Sequence, residues 1–237
     1  SILYEYDLSP VFPEIVTEAA KKTSLTISGK EINSRKDLRG VDTFTIDPDD
    51  AKDFDDALSV RKLESGNWEI GVHIADVSHF VKKGSVLDLE AEQRASSVYL
   101  VDRVVPMLPE VISNELCSLK PNEDRLCFSV LFTLDEKANL LDYWVGKSVI
   151  HSDKRFTYAD AQEIIDEKRG LFSKQLLLLD RLSKILRKNR FKLGALDFES
   201  SEAKFVLNEK DVPIEVYFKP VLDTNHMIEE FMLLANK

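Results

Sequence analysis

Six aspartates fall within ten residues, in the run Thr45-Ile46-Asp47-Pro48-Asp49-Asp50-Ala51-Lys52-Asp53-Phe54-Asp55-Asp56-Ala57. A run of like charge is usually a solvated loop. Here Ile46 and Ala57-Leu58 flank it and Phe54 interrupts it, so part of it must pack near a core. Two carboxylates about 4 Å apart repel by roughly 4 kcal/mol at an effective dielectric of 20. Gathering four is tolerable only if a cation offsets the charge. An EF-hand loop needs Gly at its sixth position and Glu at its twelfth. Counting from Asp47 finds Lys52 and Leu58, which excludes it. All-oxygen donors suit Mg²⁺, with Mn²⁺ as a possible substitute, because these ions take few carboxylates and leave coordination open for water and phosphate.

The elements that must position these acids follow from periodicity. Phe44 and Ile46 alternate with Thr43 and Thr45 as in a strand, and a second strand fits 57–61. The Ser65-Gly66-Asn67 turn leads to a third over 68–75. Two more, 125–134 and 140–150, pair across Asp135-Glu136-Lys137-Ala138-Asn139, and a hairpin fits 204–207 with 214–218. Helices fit 14–22, 84–94, 158–168 and 173–191. The last of these carries Leu176, Leu179, Leu182, Ile185 and Leu186 on one stripe and ends in basic residues before Gly194. Thr224 or Asn225 caps a final helix over 227–236. Strands and helices mix without regular βαβ alternation, so the expected class is α+β, a mixed or antiparallel sheet with flanking helices.

Composition narrows the function. The 237 residues carry a formal net charge of −10, which argues against gripping nucleic acid by bulk electrostatics but not against holding cations over a phosphate. No segment approaches the ~18 uninterrupted apolar residues of a membrane helix, and the start has no signal-peptide pattern. A cytoplasmic location without membrane attachment is the expectation. Cys117 and Cys127 are too few for a disulfide framework or a zinc site and read as reduced, partly buried thiols.

Several motifs in order carry a resemblance. Arg39-Gly40-Val41 and the acidic run are followed by His73-Ile74-Ala75-Asp76-Val77 and Pro106-Met107-Leu108-Pro109. Then come Ser113-Asn114-Glu115-Leu116-Cys117-Ser118-Leu119 and Ile228-Glu229-Glu230-Phe231-Met232-Leu233-Leu234-Ala235-Asn236. Together they resemble the ribonuclease II/ribonuclease R exoribonucleases, whose catalytic domain is of RNB type, with ribonuclease R the nearer subtype. The match covers roughly residues 37–237, as the N-terminal part of that domain, and leaves 1–36 as a connector.

The resemblance implies a metal-dependent hydrolytic 3′-to-5′ exoribonuclease that acts on single-stranded RNA and releases nucleoside 5′-monophosphates. Its metal-binding and catalytic quartet falls on Asp47, Asp53, Asp55 and Asp56, at offsets 0, 6, 8 and 9. RNA contacts fall on Tyr99 and Phe198, which would stack terminal bases, and on Tyr158 and Glu230, which would read the ribose 2′-hydroxyl. The local alternatives are a core phenylalanine, a packed tyrosine at a helix start and a glutamate in an ion pair. His73 and His79 read as structural or solvent-facing. The resemblance also implies OB-type RNA-binding domains in a full-length chain and a later arginine motif, so the 237 residues by themselves are expected to be weak or inactive. The competing reading is an RNB-like RNA-binding scaffold that has lost its chemistry, which the presence of all four aspartates disfavours.

Overall fold

The computed structural model describes residues 2–6, 8–24, 26–101, 103–196, 203–208, 213–218 and 220–237. In chain order the strands are β1 (Lys36–Asp37), β2 (Thr43–Asp47), β3 (Asp56–Lys62), β4 (Trp68–Ala75), β5 (Val98–Tyr99), β6 (Val104–Val105), β7 (Glu123–Leu134), β8 (Leu140–Ser152), β9 (Lys154–Thr157), β10 (Ala203–Leu207) and β11 (Pro213–Phe218). The helices are α1 (Ile2–Glu5), α2 (Glu14–Lys22), α3 (Gly29–Asn33), α4 (Val77–Phe80), α5 (Val86–Arg94), α6 (Tyr158–Glu167), α7 (Ser173–Lys192) and α8 (Asp223–Ala235), with a π-helical segment at Val111–Cys117. The class is α+β, as the pattern of elements implies.

The chain divides into two compact units, the larger made of Ile27–Asp76, Ser118–Ser200 and Val221–Lys237. It holds a seven-stranded mixed sheet in the order β1-β8-β7-β4-β3-β2-β9. The neighbours from β8 through to β2 are antiparallel, and the two edge pairs, β1 with β8 and β2 with β9, are parallel. Alternation assigns the faces. Phe44, Ile46, Leu58, Val60, Ile70, Val72 and Phe132 point to one side, where they meet the buried stripe of α7 and Ala161, Ile165, Met227 and Phe231 of α6 and α8. Phe44 anchors this core, with Phe156 edge-on at 5.7 Å and Phe172 at 5.5 Å between ring centres.

The opposite face is buried and polar. His73 is fully enclosed, with Nε2 2.8 Å from Ser59 Oγ and Nδ1 2.7 Å from Ser129 Oγ, and Ser129 Oγ lies 2.5 Å from Ser148 Oγ. Burial pushes its pKa down to about 3, so the imidazole is neutral. Arg35 closes the row: it bonds the carbonyls of Cys127 and Ser148 and the carboxylate of Asp76, the last at 2.7 Å. His73 is thus structural, as expected from the sequence, and His79 stacks edge-on against Phe80.

The smaller unit comprises Ser1–Thr26, Val77–Cys117 and Ser201–Pro220. Arg94 gathers it. Its guanidinium donates to the carbonyls of Ser9, Val11 and Pro106, lies 3.8 Å above the Phe12 ring and pairs with Glu90. Strands β10 and β11 form the expected hairpin, with a register shift at Val206/Leu207. Both cysteines are buried.

Three expectations need correction. The helix read over 84–94 starts at Val86, because Ser85 caps it by accepting the Asp88 N–H. The last helix begins at Asp223, so Thr224 and Asn225 lie inside its first turn. Asn225 Oδ1 accepts the Leu222 N–H from there, and Thr224 Oγ1 donates 3.0 Å to the Tyr158 carbonyl. The strand read over 140–150 runs on to Ser152 and, past Asp153, is followed by β9, which the sequence reading did not contain.

Gly71 lies directly across from Ser59, where an added Cβ would stand 2.3 Å from Ser59 Oγ and 2.5 Å from His73 Nε2. Gly71→Ala therefore breaks a buried bond or displaces a packed strand. A loss of roughly 2–4 kcal/mol in denaturant unfolding is expected; a change below about 0.5 kcal/mol would show that the polar row is slack.

Candidate active site

Strands β2 and β3 are antiparallel neighbours, so the C-terminal end of one and the N-terminal end of the other meet at the same end of the sheet. Asp47 is the last residue of β2 and Asp56 the first of β3. Residues 48–55 join them, carrying Asp49, Asp50, Asp53 and Asp55. Register places Asp47 opposite Thr157 of β9 and Asp56 opposite Ile74 of β4.

The far half of the loop is fastened by its backbone. The Phe54 N–H donates to Ser118 Oγ at 3.0 Å, the Leu119 N–H donates to the Phe54 carbonyl at 2.8 Å, and the Ala75 N–H donates to the Asp55 carbonyl at 2.9 Å. Ser118 is itself held, since its carbonyl accepts from Arg125 Nε at 2.7 Å. The near half forms a turn, with the Ala51 N–H on the Pro48 carbonyl, and is gripped by Arg155.

Burial dominates the electrostatics. Asp47 is 6% exposed. Desolvation pushes its pKa up to about 7, assisted by Asp56 and Asp55 and opposed by the Thr45 hydroxyl, which donates 2.5 Å to Oδ2, and by Arg155. Desolvation and the Asp55 charge push Asp56 up to about 6. Asp55 faces outward, yet its surroundings and Asp53 raise it as well. The four side chains thus form one chain of mutual repulsion, Asp53 on Asp55 and Asp55 on both Asp56 and Asp47. Among the described residues, no three His, Cys, Asp or Glu side chains converge closely enough to hold an ion between them. The carboxylates stand as electrostatic neighbours, short of a closed cage. Their chemistry nevertheless fits a hard divalent cation: the donors are all oxygens, and two are desolvated anions whose repulsion a cation would relieve.

Tyr158 joins this group. It opens α6 immediately after Thr157, and its carbonyl is tied to Thr224 of α8. Burial, with Asp56 and Asp47 nearby, raises its pKa to about 12, so the phenol is a neutral hydrogen-bond donor beside the acids. Glu230 lies elsewhere in its bonding. It is buried on α8, and Arg190 of α7 grips its carboxylate through Nε at 3.1 Å and Nη2 at 2.5 Å. Tyr99 belongs to the smaller unit, at the end of β5, and is 72% exposed. Phe198 lies outside the described residues. The sequence reading gave no role to Thr45, Ser118 or Arg155. Their signal is the pairing of β2 with β9 and the loop contact at Ser118, both remote in sequence.

Comparison with known proteins places this arrangement. The RNB domain model matches residues 35–237, and the chain belongs to that family. It is 43% identical over 245 residues to DIS3-like exonuclease 2 of Schizosaccharomyces pombe, covering 97% of this chain and 26% of that protein. It is 40% identical over 242 residues to Ribonuclease R 1 of Lactococcus lactis, covering 100% of this chain and 30% of that protein. The solved structure of Mycoplasma genitalium RNase R in complex with ribose methylated single-stranded RNA superposes with a TM-score of 0.92 at 31% identity, over 99% of this chain and 37% of that one. The chain therefore spans between 26% and 37% of the length of these relatives. Similar identities to both enzymes do not single out the ribonuclease R subtype.

The raised carboxyls set a pH dependence. An acid whose pKa is higher folded than unfolded binds more protons in the native state, so stability falls as pH rises through the interval between the two values. For Asp47 and Asp56 that interval runs from about 4 to about 7. The acids with lowered pKa, such as Asp37 and Asp124, act below it. In chelator, unfolding free energy is expected to drop between pH 5 and pH 8 by on the order of a few kcal/mol. Asp47→Asn should flatten that drop and stabilise the protein at pH 8. An unchanged slope in the variant would contradict the assignment.

Proposed function

We propose that the protein carrying this chain is a metal-dependent hydrolytic 3′-to-5′ exoribonuclease that acts on single-stranded RNA and releases nucleoside 5′-monophosphates. The observation that supports this best is the pair of desolvated aspartates at one sheet end, in a fold that superposes on an RNase R bound to single-stranded RNA. On this reading Asp47, Asp53, Asp55 and Asp56 hold Mg²⁺, or Mn²⁺ in its place. The ions, when bound, supply Lewis acidity that activates water and stabilises the departing 3′-oxygen.

The remaining work belongs to the chain. Thr45 holds Asp47 through a hydroxyl bond, which fixes the rotamer of an anion that would otherwise turn away from its neighbours. Tyr158 keeps its proton at any physiological pH and offers it to an acceptor beside the acids; a ribose 2′-hydroxyl is the group that distinguishes RNA from DNA there. Glu230 acts with its charge matched by Arg190, as an acceptor for the same hydroxyl. Tyr99 and Phe198 stack terminal bases, a contact that every sequence can make. Residues 37–237 form the N-terminal part of the catalytic domain and 1–36 its connector. OB-type domains elsewhere in the full chain grip the RNA, so these 237 residues alone are weak or inactive. A cytoplasmic location suits this substrate.

Asp55→Asn in the intact protein is expected to lower the rate on a labelled oligoribonucleotide at least ~100-fold, with folding intact. Tyr158→Phe is expected to narrow the ratio of RNA to DNA cleavage. Full activity in the first variant would remove the metal-hydrolysis reading, and an unchanged ratio in the second would remove the ribose role. A silent scaffold would show no metal-dependent cleavage in the parent.

A further inference from the structure

Arg155 occupies a position that the metal-holding role of the aspartates leaves unexplained. It lies on β9 opposite Thr45, on the sheet face that carries Asp47 rather than the one that carries Phe44 and Phe156. From there its guanidinium reaches over the acidic loop. Nη2 donates to the Pro48 carbonyl at 2.6 Å and to the Asp49 carbonyl at 3.1 Å, and Cζ lies 5.5 Å from the centre of the Phe54 ring. The two ends of the loop are thereby joined through one side chain: the turn after Asp47 by its carbonyls, and the residue between Asp53 and Asp55 by its ring. Phe54 is fixed from the other side by Ser118 and Leu119.

We propose that Arg155 is a positioning residue, a clamp that holds residues 48–54 in the shape that carries Asp53 and Asp55 to Asp47 and Asp56. The proposal rests on the metal-holding reading of those four aspartates.

Two features suit arginine to the task. The loop offers carbonyl oxygens on one side and an aromatic face on the other, and a planar guanidinium serves both at once where an ammonium cannot. The clamp also accepts a penalty, because Arg155 Nε is buried without a hydrogen-bond partner among the described residues. Leaving a buried donor unmatched is unfavourable, so this orientation is held by the carbonyl and ring contacts against a local preference to turn away. As a cation bonded to backbone oxygens, Arg155 can hold the loop without neutralising the carboxylates through direct pairing. They stay available to a divalent ion.

The test compares Arg155→Ala, Arg155→Lys and Phe54→Leu with the parent, each in the intact protein. Amide hydrogen exchange of peptides spanning 48–56, measured in chelator, reads the clamp with no metal present. Mn²⁺ titration calorimetry without RNA reads its consequence. Kinetics on single-stranded RNA at low and high Mn²⁺ separate kcat from KM. Exchange in 48–56 is expected to quicken about tenfold or more in Arg155→Ala, and less in the other two. Mn²⁺ affinity is expected to weaken about 10–100-fold, with kcat falling, KM little changed, and activity partly recovered at high Mn²⁺. Unchanged exchange and unchanged Mn²⁺ affinity would overturn the clamp, as would a raised KM at constant kcat, which marks a direct RNA contact. Should the parent bind no Mn²⁺ while exchange still quickens, the metal reading of the aspartates fails and the clamp on the loop stands. If Arg155→Ala does not fold, the lysine and leucine variants decide by the same readings.

Discussion

Two carboxylates drawn out of water at one end of a sheet, with no lysine or arginine among the described residues paired directly to either, are the constraint around which this chain is arranged. Asp47 and Asp56 cannot retreat. Each is the terminal residue of a strand whose register is set by its neighbours, opposite Thr157 on one side and Ile74 on the other. Moving either backbone position would require a shift in register, and a one-residue slip would turn Phe44, Ile46, Leu58 and Val60 out of the core. The apolar packing against α6, α7 and α8 therefore holds the strained charges in place.

Farther along the sheet, on the polar face that Asp47 shares with Thr43 and Ser59, burial is handled differently. His73 and the serines around it are as deeply enclosed as Asp47, yet each ring nitrogen has a hydroxyl partner and the group carries no charge. Arg35 and Asp76 are buried as a matched pair. Set beside these satisfied groups, the aspartates stand apart: their desolvation is offset only partly, by the Thr45 hydroxyl and the field of Arg155 in the case of Asp47. This contrast within one sheet makes a cation-binding role the more economical reading of the acids than a structural one.

Much of this was legible from local pattern. The strand at 68–75 and the helix from Ser173 follow from periodicity, and the acidic run declared itself because six like charges interrupted by Phe54 cannot all be surface. What sequence could not show depends on distant pairing. β9 is only four residues long and finds β2 over a hundred residues upstream, so nothing local marks the contacts of Arg155. Glu230 was legible as a helical residue, but its partner Arg190 comes from a separate helix forty residues away. The π-helical turn at Val111–Cys117 has no simple periodic signature. The start of α8 was misplaced because Thr224 and Asn225, good caps by type, serve as first-turn residues that bind Tyr158 and Leu222 instead.

The most direct test of the account is the count of protons released when Mn²⁺ binds, obtained from calorimetry in buffers of differing ionisation enthalpy. An ion entering this site at pH 6 must displace protons held by Asp47 and Asp56, whereas at pH 8.5 both are already ionised. The account predicts release approaching one proton or more per site at pH 6 and near zero at pH 8.5. Binding with no proton release at either pH, or no binding at all, would contradict it.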